Sequence, residues 1–211
     1  MASTDAISAV CNAIAHILRG AMAEQAEDLG LTALNPTFQV YTAEDFTNTG
    51  SDRRITSGAS IFLYRVLPNL SQRSPAGRLL PNGQRYFNKL ALDLHLILTI
   101  WGSDPGTQNR LVGWVLRTLD DYPVIPAAIL NIGSDSEIFA GDEAIELILS
   151  EIDSDELLQL WDMLGNGDLY YQISIPYLVR QVEIDSRRLS QPGEPIQIRT
   201  LDLQRFDGVQ S

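Results

Sequence analysis

The sequence predicts an α+β fold: a mixed, largely antiparallel sheet with helices packed on one side, followed by an extended C-terminal arm. Three observations predict it. Several segments alternate apolar and polar residues with the period of a strand, led by "KLALDLHLILTIWG" from Lys89 to Gly102. Others repeat their apolar residues at helical spacing, led by Ile7, Val10, Cys11, Ile14, Ile17 and Leu18. Beyond Ser186 the composition changes to "SRRLSQPGEP", a hinge before one more short alternating run. The domain division is therefore 1–185 for the α+β domain and 186–211 for the arm.

The elements follow in order. Thr4 to Leu29 reads as a helix, with Ser3 or Thr4 as cap, Asp5 near the positive end of the dipole and Gly30 as the stop. "NPTFQVYTAEDF" reads as a strand, and "TNTGSDRRITSGAS" as a loop. "SIFLYRVLPN" is a second strand, rich in aliphatic and aromatic residues. "LSQRSPAGRLLPNGQRYF" is a long exposed connection, and such loops are usually functional or mobile. It joins this strand to the Lys89–Gly102 strand, and an antiparallel pair is the simplest topology. In "NRLVGWVLRTLDDYPVIP" Leu111, Val115, Leu116 and Leu119 mark a helix face that ends before Pro123. "AIELILSEI" is a strand. "DSDELLQLWDMLGNG" is a helix, capped by Asp153 or Ser154 and stopped at Gly165. "LYYQISIPYLVRQVEID" is the last long strand, where Pro176 suggests an edge or a bulge. In the arm, "IQIRTLDLQRF" places Ile196 and Ile198 on one face and then shifts phase to Leu201 and Leu203. A strand this short is not stable alone and must add to a sheet, its own or a neighbour's.

Composition narrows the function. The chain has 211 residues, 45% hydrophobic and 20% charged, a globular balance with enough length for one sizeable core. The N-terminus lacks a basic region ahead of its apolar part, so it does not read as a secretory signal. No unbroken apolar run reaches the roughly 18 residues of a membrane span. The single cysteine, Cys11, leaves no internal disulfide and suits a reducing cytoplasm; among alanines and valines it reads as a buried apolar residue. A net charge of −12 argues against nucleic acid as a partner. The charge is also segregated. Arg53, Arg54, Arg65, Arg73, Arg78, Arg85 and Lys89 form a stretch without acids, whereas Asp135 to Asp168 carries only acids. Two complementary faces that meet between copies, or with a partner, would use such an asymmetry. Arg73, Arg78 and Arg85 against Asp153, Asp155 and Glu156 are the candidate contacts.

Chemistry finds little support. No phosphate-binding glycine loop, nucleophile elbow or HExxH helix is present. His16 belongs to the first helix. Asp93 and His95 share one face of a strand, but about 7 Å of strand rise separates them, which makes a direct hydrogen bond awkward. A metal site needs three or four ligands, and none gather near His95 in sequence. Asp153, Asp155 and Glu156 lack the glycine and terminal glutamate of a calcium loop and suit a helix start. Trp101, Trp114 and Trp161, with Tyr170, Tyr171 and Tyr177, read as core or interface anchors. The expectation is no catalysis, no cofactor, no metal and no small-molecule substrate. The alternatives are a small acidic enzyme using Asp93 and His95, or an adaptor that forms no ring.

The segments "IFLYRVLPN", "LALDLHLILTIWG", "RLVGWVLRTLDDYPVI" and "DELLQLWDMLGNGDLYYQISIPYLVRQVEID", in this order, resemble the tail-terminator or cap proteins of contractile injection systems, the phage-tail-like particles of bacteria. The likeness covers most of Ala6 to Asp185. It implies a structural cap, a hexameric ring on the last layer of inner tube and sheath that stops their polymerisation. Its partners would be itself and the sheath and inner-tube subunits, in the cytoplasm as part of an assembled particle. Ile196, Ile198, Leu201 and Leu203 would then be the arm's partner-binding residues, filling alternate pockets of a sheath sheet by strand addition. The Asp93, His95 and Thr99 face of the long strand becomes a candidate contact surface.

Overall fold

The computed structural model describes residues 4–47, 54–69, 78–79, 85–134, 136–165, 170–186 and 188. A six-stranded sheet runs in the order β1 (Thr37–Tyr41), β2 (Gly58–Pro68), β5 (Leu90–Trp101), β8 (Ser174–Ile184), β7 (Ala144–Leu149) and β6 (Val124–Pro126). β1 and β2 are parallel and every other pair is antiparallel. The antiparallel pairing of β2 with β5 is the one expected of two strands joined by a long connection. Within that connection β3 (Arg78–Leu79) and β4 (Arg85–Tyr86) form a small ladder of their own.

β5 sits inside the sheet, which explains its length and its leucines. Leu92, Leu94, Leu96, Leu98 and Ile100 enter the main core. The helices α1 (Ala6–Gln25), α3 (Pro105–Asp120) and α4 (Ala127–Leu130) pack on that face with Val10, Ile14, Leu18, Leu111, Val115 and Leu130. This is the expected helical layer. By length and composition α1 would also pass as a membrane span, but its apolar stripe is buried against the sheet. The N-cap position falls on Asp5, two residues after Ser3 and one after Thr4. At the other end Leu31 N–H donates to Ala26 C=O and Gly30 N–H to Glu27 C=O, with Gly30 at φ +63. That is the closing motif a left-handed glycine permits.

Several expectations are corrected. The second half of "NPTFQVYTAEDF" is not strand but a short helix, α2 (Ala43–Thr47). Asp45 accepts from Thr42 N–H at 2.7 Å and turns the chain there. α3 starts upstream of Asn109, because Asp104 accepts from Thr107 N–H at 3.0 Å and Pro105 sits in the first turn. β6 and α4 lie in a segment too short to show a period. Pro176 is at neither an edge nor a bulge: it pairs with Ile97 in the sheet interior. Its carbonyl accepts from Ser150 on the β7 side, and with no N–H to return to Ser150 the pairing with β7 stops there, just where β7 ends. The bulges are elsewhere. Tyr64 is the extra residue of β2, and Arg180 and Gln181 together face Asp93. Gln181 takes φ +65, and the shift returns Val182 to the core after Val179.

The reverse face of the sheet additionally carries α2 and α5 (Ser154–Gly165). Tyr41, Phe46, Ile55, Trp161 and Leu164, joined by Phe62 and Trp101, make a second core there. Phe46 meets Trp161 edge to face at 5.9 Å and 87°. Both indole N–H groups are satisfied, Trp101 by Ser60 at 3.0 Å and Trp161 by Ser174 at 3.1 Å. Gly58 closes this end of the sheet at φ +131, where a Cβ would lie 1.9 Å from the Thr37 carbonyl oxygen.

Candidate functional site

The second core divides the reverse face. At the Trp101 end α5 covers β5, and Thr99 is fully buried, within 3.4 Å of Ser174. Thr99 therefore leaves the predicted contact surface. Toward the other end, the half-exposed His95 and Asp93 remain, with Arg65 paired opposite His95 and Leu67 opposite Asp93. The β2 bulge brings both Tyr64 and Arg65 to this side.

His95 and Asp93 have separate partners. His95 Nδ1 lies 3.5 Å from Arg65 Nη2, and the Tyr64 ring stands edge-on at 6.0 Å. Arg65 also lies over the Tyr64 ring and reaches Glu156 at 3.3 Å. A cation at Nδ1 suits a neutral imidazole that accepts there. Burial, and then the Arg65 charge, hold the His95 pKa below its ordinary value, against the pull of Asp93 and Glu156. Asp93 accepts from Asn69 Nδ2 at 3.2 Å. A hollow of about 710 Å³ lies between α1 and β1, lined by Arg19, Met22, Phe38 and Val40, and His95 is not part of it. Among the described residues no three His, Cys, Asp or Glu side chains converge on one point. Cys11 is buried in the main core and its thiol is pushed up to about 11 by that burial.

The charged segments meet partly within the chain. Arg65 pairs with Glu156, and Lys89 with Glu143 and Glu183. Burial alone would lower the Lys89 pKa, but the hydrogen bonds it donates to Glu143 and Glu183 outweigh it and raise it. Of the candidate ring contacts, Glu156 is thus engaged internally, while Asp153 and Asp155 are exposed. Asp153 also caps α5, accepting from Asp155 N–H at 2.8 Å. The backbones of Arg78 and Arg85 sit in the β3–β4 ladder, one residue out of register with each other. Arg73 and the arm residues Ile196, Ile198, Leu201 and Leu203 lie outside the described residues.

Beside the acids, α5 and the loop after it present apolar groups to solvent: Leu158, Met163 at 74% exposure and Tyr170 at 87%. Trp114, Trp161 and Tyr177 are the buried aromatic anchors. The arrangement thus offers charge and apolar area for protein contacts. The Arg65–Glu156 pair and Asn69 were not legible in sequence. The phase change from Leu63 to Val66 was the available signal for the bulge that places them.

The profile of the Pvc16 N-terminal domain family matches residues 9–198. Among solved structures, the sheath/tube terminator of an extracellular contractile injection system, PVC, in the extended state matches at 16% identity and a TM-score of 0.57. That match covers 100% of this chain and 66% of the other. The tube-terminating cap of the anti-feeding prophage matches at 18% identity and a TM-score of 0.47, over 74% of this chain and 52% of that one. No curated protein matches. The first structural likeness shows a shared fold, and both solved chains are longer than the matched part.

Proposed function

The chain belongs to the Pvc16 N-terminal domain family, and from that premise we propose that it is the terminator of a contractile injection particle, closing the end of tube and sheath and halting their growth. The observation that carries this reading is the family match over 9–198, with the fold of a solved sheath/tube terminator across the whole chain. Its role is structural rather than catalytic. The partners are sheath and inner-tube subunits and further copies of itself in a six-membered ring. It acts in the cytoplasm as part of the assembled particle.

A ring requires one face to meet a different face of the next copy. Arg73, Arg78 and Arg85 supply the basic side. Asp153 and Asp155 supply the acidic side, and the exposed Leu158 and Met163 lie on the same helix. The arm adds a strand to a sheath sheet, its main chain giving affinity and Ile196, Ile198, Leu201 and Leu203 giving specificity.

Particles assembled with this chain ended after Pro192 test the reading. Electron microscopy is expected to find the full chain at one end of each particle and to find that end bare with the shortened chain. Normal caps from the shortened chain would remove the arm from the mechanism. Finding the full chain along the particle rather than at its end would remove the terminator itself.

A further inference from the structure

The end of β8 passes through a clasp of two parts before the C-terminal arm begins. The last pair of the β5–β8 ladder is Leu90 with Ile184. Beside it Lys89 lies between Glu143, just ahead of β7, and Glu183 of β8 at 2.9 Å. The three side chains are 20–32% exposed, so the network is partly shielded from solvent and ties the start of β5 to the end of β8. Four residues past Ile184 the chain is held again. Phe87 N–H donates to the Arg188 carbonyl at 3.1 Å, and the Arg188 guanidinium lies 5.3 Å from the centre of the Phe87 ring. That is cation–π range. Arg188 N–H donates in turn to Ser186 Oγ at 3.2 Å. Phe87 is 48% exposed and belongs to neither core, so its ring serves this contact rather than packing. Phe87 also ends the connection that carries Arg78 and Arg85. The root of the arm and that basic connection therefore leave the sheet together, at the end opposite Thr99 and Ser174.

We propose that Phe87 and Arg188 are positioning residues for the arm: they fix the point from which it reaches the sheath. The inference rests on the reading that the arm docks there. A tethered segment gains affinity when its root is held, because its free end then explores less volume. With the Phe87–Arg188 contact broken, the arm would swing from Ile184, where the ladder ends. With it made, the anchor moves out to Arg188, beside the chain that enters β5. Fewer residues are then ordered on docking, and the entropic cost of docking falls. The Lys89 pairs hold the end of β8 whether or not the outer contact is present. The outer contact can therefore be removed by mutation while the domain stays folded.

The test uses the full chain and particles assembled without it. In the free protein, Arg188→Ser should speed hydrogen exchange of the Phe87 amide about tenfold, while the amides of β8 keep their protection and show that the variant is folded. The protein concentration that half-saturates the particle ends should rise roughly fivefold in Arg188→Ser and in Phe87→Ser. It should rise no further in the double variant, because both substitutions remove one contact. Arg188→Lys, which keeps a cation over the ring, should dock like the unaltered chain. Normal docking by Arg188→Ser, or an unchanged Phe87 amide, would overturn the proposal. So would losses that add in the double variant, since each residue would then touch the sheath on its own account. The chain ended after Pro192 separates this from the reading beneath it. Normal docking by that chain removes the arm and the clasp's role together. A shortened chain that fails beside an Arg188→Ser chain that docks normally removes the clasp alone.

Discussion

His95 shows how little a residue type says about its role. In the sequence it was the one histidine with a carboxylate nearby. In the fold its Nδ1 faces Arg65, its ring meets Tyr64, and Asp93 turns to Asn69. The pKa direction gives this a pH signature. Burial and Arg65 hold the folded pKa below the ordinary value of 6.5, so below that pH the unfolded chain binds the proton more readily. Stability is then full above pH 6.5 and falls as the pH drops below it, until the folded form titrates as well. His95→Gln is expected to flatten the decline of the thermal midpoint across this window. An unchanged slope would assign the decline to the carboxylates instead.

At the scale of elements, the second core holds α2 and α5 on the sheet. Its aromatic members come from four places in sequence: Tyr41 and Phe46, Phe62, Trp101, and Trp161. Trp161→Ala should cost about 3 kcal/mol, the usual scale for an aromatic deleted from a core. Because the main core lies on the opposite face, the loss should be local. Amides of α5 are expected to exchange faster, and those of β5 to keep their protection, with Trp161→Phe restoring most of it. Uniform weakening of both elements would mean that the two cores unfold together. The bulges belong to this scale too. Tyr64 and Gln181 each shift a strand by one residue, which is why a strict alternation read along β2 or β8 fails beyond them.

At the scale of the whole molecule, the charge asymmetry is partly satisfied inside one chain and partly left for neighbours. Arg65 and Lys89 find acidic partners within the fold, while Asp153 and Asp155 remain exposed. If the remainder closes a ring, the double reversal Arg78→Glu with Arg85→Glu should shift the native mass toward smaller species. Raised salt should do the same to the unaltered protein. Adding Asp153→Lys and Asp155→Lys to the reversed chain should recover the larger assembly. An assembly indifferent to salt and to both reversals would place the contact on the apolar surface of α5.

The sequence by itself determined the α+β class, the β2–β5 antiparallel pair, the leucine face of β5, the glycine turn after α1 and the ends of α5. These depend on local periods and on chemistry at chain stops, such as Gly30 and Asp153. The resemblance carried by ordered motifs also pointed to the terminator family. Only the tertiary structure decided which strands neighbour β8, where the bulges fall, that Thr99 is buried and that Glu156 belongs to Arg65. It also decided that helices cover both faces of the sheet. The physical reason is that a strand's period reports only that one of its faces is apolar. What covers the other face depends on partners distant in sequence, such as Trp161 bonded to Ser174 next to Thr99, and Arg65 beside His95.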